Sequence, residues 1–109
     1  ENYYKSSCER NVNSKNLVRF EQEYLNQNFC YIGQVFSSYP EDEVFKIITD
    51  ENCDNLYGDN FIYAQDCRIS DKTKILEGDI ITVYGKFTGV STDDYPCFKF
   101  YYADIEGVQ

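Results

Sequence analysis

The sequence predicts a mainly β domain, a small five-stranded barrel behind one N-terminal helix. Three observations carry this. The segment 75–90 is a long apolar/polar alternation in which Ile81, Val83, Tyr84 and Phe87 favour strand. Gly85 and Gly89 interrupt it, as glycines do where a strand bends, bulges or meets another backbone closely, and a closed barrel needs such bends. The chain of 109 residues holds 11 Tyr and 8 Phe but only 2 Pro, a composition that suits sheet and the size of one domain spanning 1–109.

The elements follow in order. Residues 1–13 are polar and read as extended. Ser14 can cap a helix over 14–26, in which Leu17, Phe20 and Tyr24 recur at helical spacing. A first strand over 29–38 is expected to turn Phe29, Tyr31 and Val35 inward, with a bulge at Gly33. Tyr39-Pro-Glu-Asp42 is a turn. The second strand covers 43–50, the third 61–65, the fourth 79–91 and the fifth 97–105, with a turn at Thr92-Asp-Asp-Tyr-Pro96. Residues 51–60 form a loop rich in Asp and Asn, and 67–78 are polar with room for a helical turn. One helix, five strands and one long, glycine-bent strand match a Greek-key OB-like barrel; an SH3-like barrel is the competing topology.

The formal net charge is −9, with −3 on residues 1–50 and −6 on residues 51–109. Nucleic acid and anionic membrane are disfavoured as partners, because both are bound through Lys/Arg surfaces. No apolar run is long enough to span a membrane. The chain contains no Met, hence no initiator, and reads as a mature fragment or a trimmed chain. Five cysteines, Cys8, Cys30, Cys53, Cys67 and Cys97, fit a disulfide-bearing extracellular domain; buried thiols in a reducing compartment are the bland alternative. The pairing stays open, and an odd count leaves at least one thiol over.

Several stretches in one order resemble a known family. They are Tyr3-Tyr4, Ser7-Cys8, Leu17-Val-Arg19 with Tyr24, Gly33-Gln-Val35, Ile75-Leu-Glu-Gly-Asp-Ile80 with Tyr84-Gly85 and Thr88-Gly89, and Tyr102-Ala-Asp-Ile105. Together they resemble the OB-fold (tRNA_anti-like) domains of secreted lipoproteins and surface proteins of Gram-positive gut bacteria. The resemblance runs from about residue 3 to 106, and its 76–89 block is the most specific part. It implies a helix before the barrel, a location outside the cell or in its envelope, and no defined activity. The short turn between strands four and five and the cysteines at 30, 53, 67 and 97 depart from that pattern.

In OB-folds, ligands lie across strands two and three, between the loops after strands one and four. Here those loops are 37–42 and 91–96, and Glu41, Asp42, Asp93 and Asp94 make both acidic. Lys46 is the one base on strands two and three. Tyr39, Phe45, Tyr63 and Tyr95 are the candidate ligand-binding residues, with Phe61 a further ring able to stack; the competing reading is packing of core and rim. Asp50, Asn52, Asp54 and Asp59 alternate as Ca²⁺ ligands do, but the glycine comes late and residue 61 is Phe rather than Glu, so a solvated loop is the better reading. Without His, a Ser or Cys nucleophile lacks its commonest base, and no cofactor motif is present. The expectation is a non-catalytic extracellular module binding protein or glycan at the cell surface. An oligonucleotide-binding OB domain is the alternative that the charge opposes; an accessory or inhibitor domain docking on a partner protein is a third.

Overall fold

The computed structural model describes residues 13–49, 60–69 and 73–107. Two short helices, α1 (Ser14–Arg19) and α2 (Glu21–Tyr24), precede five strands: β1 (Asn28–Tyr39), β2 (Val44–Thr49), β3 (Asn60–Asp66), β4 (Ile80–Val90) and β5 (Pro96–Ile105). The strands close into a barrel in the order β1-β2-β3-β5-β4, with β4 back on β1. All pairs are antiparallel except β3–β5, which is parallel. The chain therefore leaves β3, crosses to β4 on the far side, and returns through β5 to fill the gap. This is the mainly β, five-stranded OB-like barrel that the alternation predicts.

The core is one cluster filled from every strand: Phe29, Tyr31 and Val35, Ile47, Ile62 and Ala64, Ile81, Val83 and Phe87, Phe98 and Phe100. Leu17 of α1 belongs to it and is fully buried, so the helix segment plugs the barrel. The expected single helix over 14–26 is instead broken at Phe20 (φ −118°, ψ 42°). Asn13, not Ser14, is the cap: its side chain accepts from the N–H groups of Lys15 and Asn16. A tertiary contact follows the break. The Glu21 carboxylate accepts the Val90 N–H at 3.0 Å, which ties α2 to the end of β4.

Glycine sets two close approaches. A Cβ at Gly85 would lie 2.0 Å from the Lys99 carbonyl oxygen, and one at Gly33 2.4 Å from that of Ile48. Gly85 sits at one of the two register shifts between β4 and β5. Gly33 carries no bulge: β1 pairs with β4 without a shift from Asn28 to Gln34, and Phe29, Tyr31, Gly33 and Val35 alternate inward. The bulge falls one turn of the pleat later. Val35 pairs with Ile47 but Ser37 with Lys46, so Phe36 is the extra residue.

Between β3 and β4 the described residues 67–69 and 73–79 hold no helical turn, only a tight turn at Glu77 and Gly78. Arg68 closes this end. It is 4% exposed, its Nε and Nη2 donate to the two oxygens of Asp66, and its Nη1 is buried without a partner.

Candidate functional site

The bulge at Phe36 decides what the outer face of β1–β2–β3 carries. Strict alternation from Val35 would turn Tyr39 into the barrel. The extra residue reverses the parity, so Ser37 and Tyr39 face outward beside Phe36. Their neighbours on that face are Lys46 of β2 and Phe61 and Tyr63 of β3; Lys46 is registered opposite both Ser37 and Tyr63.

Tyr95 completes the group from the loop before β5. That loop is folded by its own polar groups. The Ser91 N–H donates to the Tyr95 carbonyl at 3.0 Å, and the Tyr95 N–H donates to Ser91 Oγ at 3.1 Å. Asp94 takes a left-handed φ of 63°, a conformation that Asp tolerates better than most residues. Ser91 also donates a short hydrogen bond to Asp93.

The five rings form a continuous arc. Phe36 meets Phe61 edge-on at 5.2 Å between centroids, Phe61 meets Tyr95 at 5.6 Å, Tyr95 meets Tyr63 at 5.9 Å and Tyr63 meets Tyr39 at 6.4 Å. The first three contacts are T-shaped, so the arc is a cage rather than a flat platform. Lys46 points into it. Its Nζ stands 4.5 Å from the Phe61 centroid, 5.4 Å from Tyr95, 5.8 Å from Tyr63 and 5.9 Å from Phe36. Phe36 is 57% exposed and Tyr39 44%, so the outer ends of the arc are open to solvent.

Acidic groups flank the arc at its Tyr39 end and beside its middle, at Tyr95 and Tyr63. Glu41, Asp42 and Glu43 are exposed in the β1–β2 turn, which Glu43 closes with φ 55°. Asp93 and Asp94 are exposed in the 91–95 loop. The Tyr63 hydroxyl donates to Asp93 at 3.1 Å. Burial, then this bond and the Asp93 charge, push the Tyr63 phenol up to about 12. The Ser91 hydrogen bond holds Asp93 below the usual carboxylate range, with the Lys46 charge adding a lesser pull.

Of the sequence candidates, Tyr39, Tyr63 and Tyr95 come together here. Phe45 does not: it is half-buried against the core, with its ring 6.4 Å from that of Phe100. It pairs with Ser38 on the opposite parity from Lys46. Phe36, which the sequence reading passed over, takes its place; an aromatic directly after the strand's inward Val is its only sequence signal. Asp50, Asn52, Asp54 and Asp59 lie outside the described residues, as do Cys8 and Cys53. Cys67 and Cys97 are reduced thiols, which removes them from the disulfide candidates. The ladder explains this. Cys67 follows the Asp66–Phe100 pair while Cys97 pairs with Tyr63, so they stand four positions apart, roughly 13 Å at the strand rise, too far for a bridge. Cys30 is buried on β1.

Two clefts flank the arc. One of about 360 Å³ opens between α1 and the 91–95 loop, on the far side of Phe61 and Tyr95, and mixes Lys15 and Arg19 with Asp94. The other, about 410 Å³, lies beyond Tyr39 and mixes Arg68 and Lys74 with Glu43 and Asp66. Among the described residues no helix is long and apolar enough to cross a membrane. No protein-family model matches the chain, and no curated protein matches it either.

Proposed function

We propose that this domain is a non-catalytic binding module of an extracellular or cell-envelope protein, and that its ligand, a protein or a glycan, lies across the outer face of β1–β2–β3. The observation that carries the reading is the arc of Phe36, Phe61, Tyr95, Tyr63 and Tyr39 on that face, between two acidic loops. A cluster of half-exposed aromatic rings gives large contact area at low entropic cost, and it occupies the part of an OB-like barrel where ligands lie. The absence of His from the whole sequence supports a binding rather than a catalytic role. The resemblance to envelope OB domains supports an oxidising compartment, in which Cys8, Cys30 and Cys53 remain disulfide candidates.

The arc argues against a nucleic-acid ligand on two counts. Its rings meet edge to face around an ammonium, so they do not offer parallel faces to successive bases, and the flanking loops repel phosphate. The test is a panel of cell-wall glycans, short basic and acidic peptides and single-stranded oligonucleotide, titrated against the wild type and a Phe36→Ala/Tyr95→Ala double variant. At least one glycan or peptide is expected to bind the wild type and to lose about tenfold or more in the double variant, roughly the worth of one aromatic contact per ring. Tight oligonucleotide binding at ordinary salt, or binding that ignores the double variant, overturns the proposal.

A further inference from the structure

We infer that the aromatic arc is a receptor for an organic cation on a basic partner protein, and that Lys46 is its resident occupant, displaced when the partner binds. The inference rests on the binding-module reading and adds the chemistry of the ligand.

Three observations converge. First, the geometry is that of a cation site. Four ring centroids lie 4.5–5.9 Å from one ammonium nitrogen, within the ~6 Å over which a ring quadrupole attracts a cation. Second, Lys46 makes no ion pair among the described residues, so the ring faces, with Asp93 further off, are what hold its charge. An ammonium held this way exchanges readily, because Lys has a flexible stem and regains full hydration outside the cage. Third, the frame selects the sign of the guest. Glu41, Asp42 and Glu43 beyond Tyr39, and Asp93 and Asp94 beside Tyr63 and Tyr95, focus a negative potential on the arc, in a chain of net charge −9.

An acidic ligand would meet one lysine and five carboxylates. A basic one meets five carboxylates, and its lysine or arginine side chain replaces Lys46 against the same rings. The two acidic loops lie apart, one beyond Tyr39 and one beside Tyr95, and a single small cation would use them only in part. A chain segment with several basic side chains satisfies the rings and both loops at once. That is why the occupant is a basic segment of a partner protein.

The probe is a lysine hexamer, titrated while the ring protons of Phe36, Phe61 and Tyr95 are followed by NMR. These protons are expected to shift, and Lys46→Met is expected to tighten binding about tenfold by removing the competing ammonium from the cage. Lys99→Met makes the same charge change at an exposed site on β5 and is expected to leave affinity within about twofold. Equal effects of the two variants, or weaker binding with Lys46→Met, overturn the inference and reduce the attraction to net charge. Tetramethylammonium binding as tightly as the hexamer would assign the cage to a free small cation and overturn the partner-protein assignment. A glutamate hexamer or oligogalacturonate that shifts the same rings and needs Lys46 would overturn the cation chemistry while leaving the binding-module reading intact. If no member of the panel moves the rings, both fall together.

Discussion

The Nζ of Lys46 stands 4.5 Å from the centre of the Phe61 ring, with Phe61 one strand away and on the same outer face. A lysine in the middle of a sheet face would ordinarily extend into water. Here three further rings close around it, and the extra residue on β1 turns Tyr39 outward to extend the arc beyond Tyr63. A backbone irregularity thus becomes a surface property: the bulge adds Tyr39 to an aromatic arc that strict alternation would leave one ring short.

The Tyr63 hydroxyl gives a pH-dependent signature. Its pKa is pushed up to about 12 by burial and by the bond to Asp93, against an ordinary value of 10.0. The unfolded chain releases this proton near pH 10 while the folded chain holds it. Over that window the unfolded state binds fewer protons, so stability falls as pH rises. The contribution is whole below about pH 10 and lost by about pH 12. Phenolate absorbance should show a late-titrating tyrosine that Tyr63→Phe removes and Asp93→Asn brings back toward 10. A wild-type titration with no tyrosine above the ordinary range would contradict the bond.

Gly85→Val tests the close approach of β4 to β5. Its Cβ would overlap the Lys99 carbonyl, which is backbone and cannot turn aside. The expected cost is roughly 3 kcal/mol, read from denaturant midpoints at unchanged slope. A neutral result would mean that the two strands slide apart without penalty, and the barrel would not be closed as described.

Leu17→Ala tests whether the helical segment is part of the barrel. Leu17 is fully buried in the same cluster as Phe29 and Phe87, and its truncation should cost about 3 kcal/mol. Glu21→Ala should cost about 1 kcal/mol by leaving the Val90 N–H unmatched. If both changes are silent, α1 and α2 do not plug the barrel.

Strand positions were readable because one face of each strand is core: Phe29, Tyr31 and Val35, or Ile81, Val83 and Phe87, repeat at period two whatever the partner strand. The face of β2 was harder. In Val44-Phe45-Lys46-Ile47-Ile48 both parities are apolar, so alternation does not say whether Phe45 or Val44 turns inward; only pairing with Ser38 decides it. Glycine marks bulges and so points to Gly33, but that glycine serves close packing on Ile48, and the bulge sits at Phe36, whose side chain carries no local signal. The helix break at Phe20 is followed by Glu21 reaching Val90, a contact 69 residues away in the chain, which no local pattern encodes. The cage was half legible: Tyr39, Tyr63 and Tyr95 stood out as surface aromatics, while Lys46 registered as a lone base rather than as its centre.

The most direct test of the cage is the chemical shift of the Lys46 ε-methylene protons. Ring currents from Phe36, Phe61, Tyr63 and Tyr95 should move them well upfield of those of Lys86 and Lys99, and addition of the lysine hexamer should return them toward the position of the other lysines. Lys46 ε-protons that coincide with those of Lys99 in the unliganded protein would contradict the account.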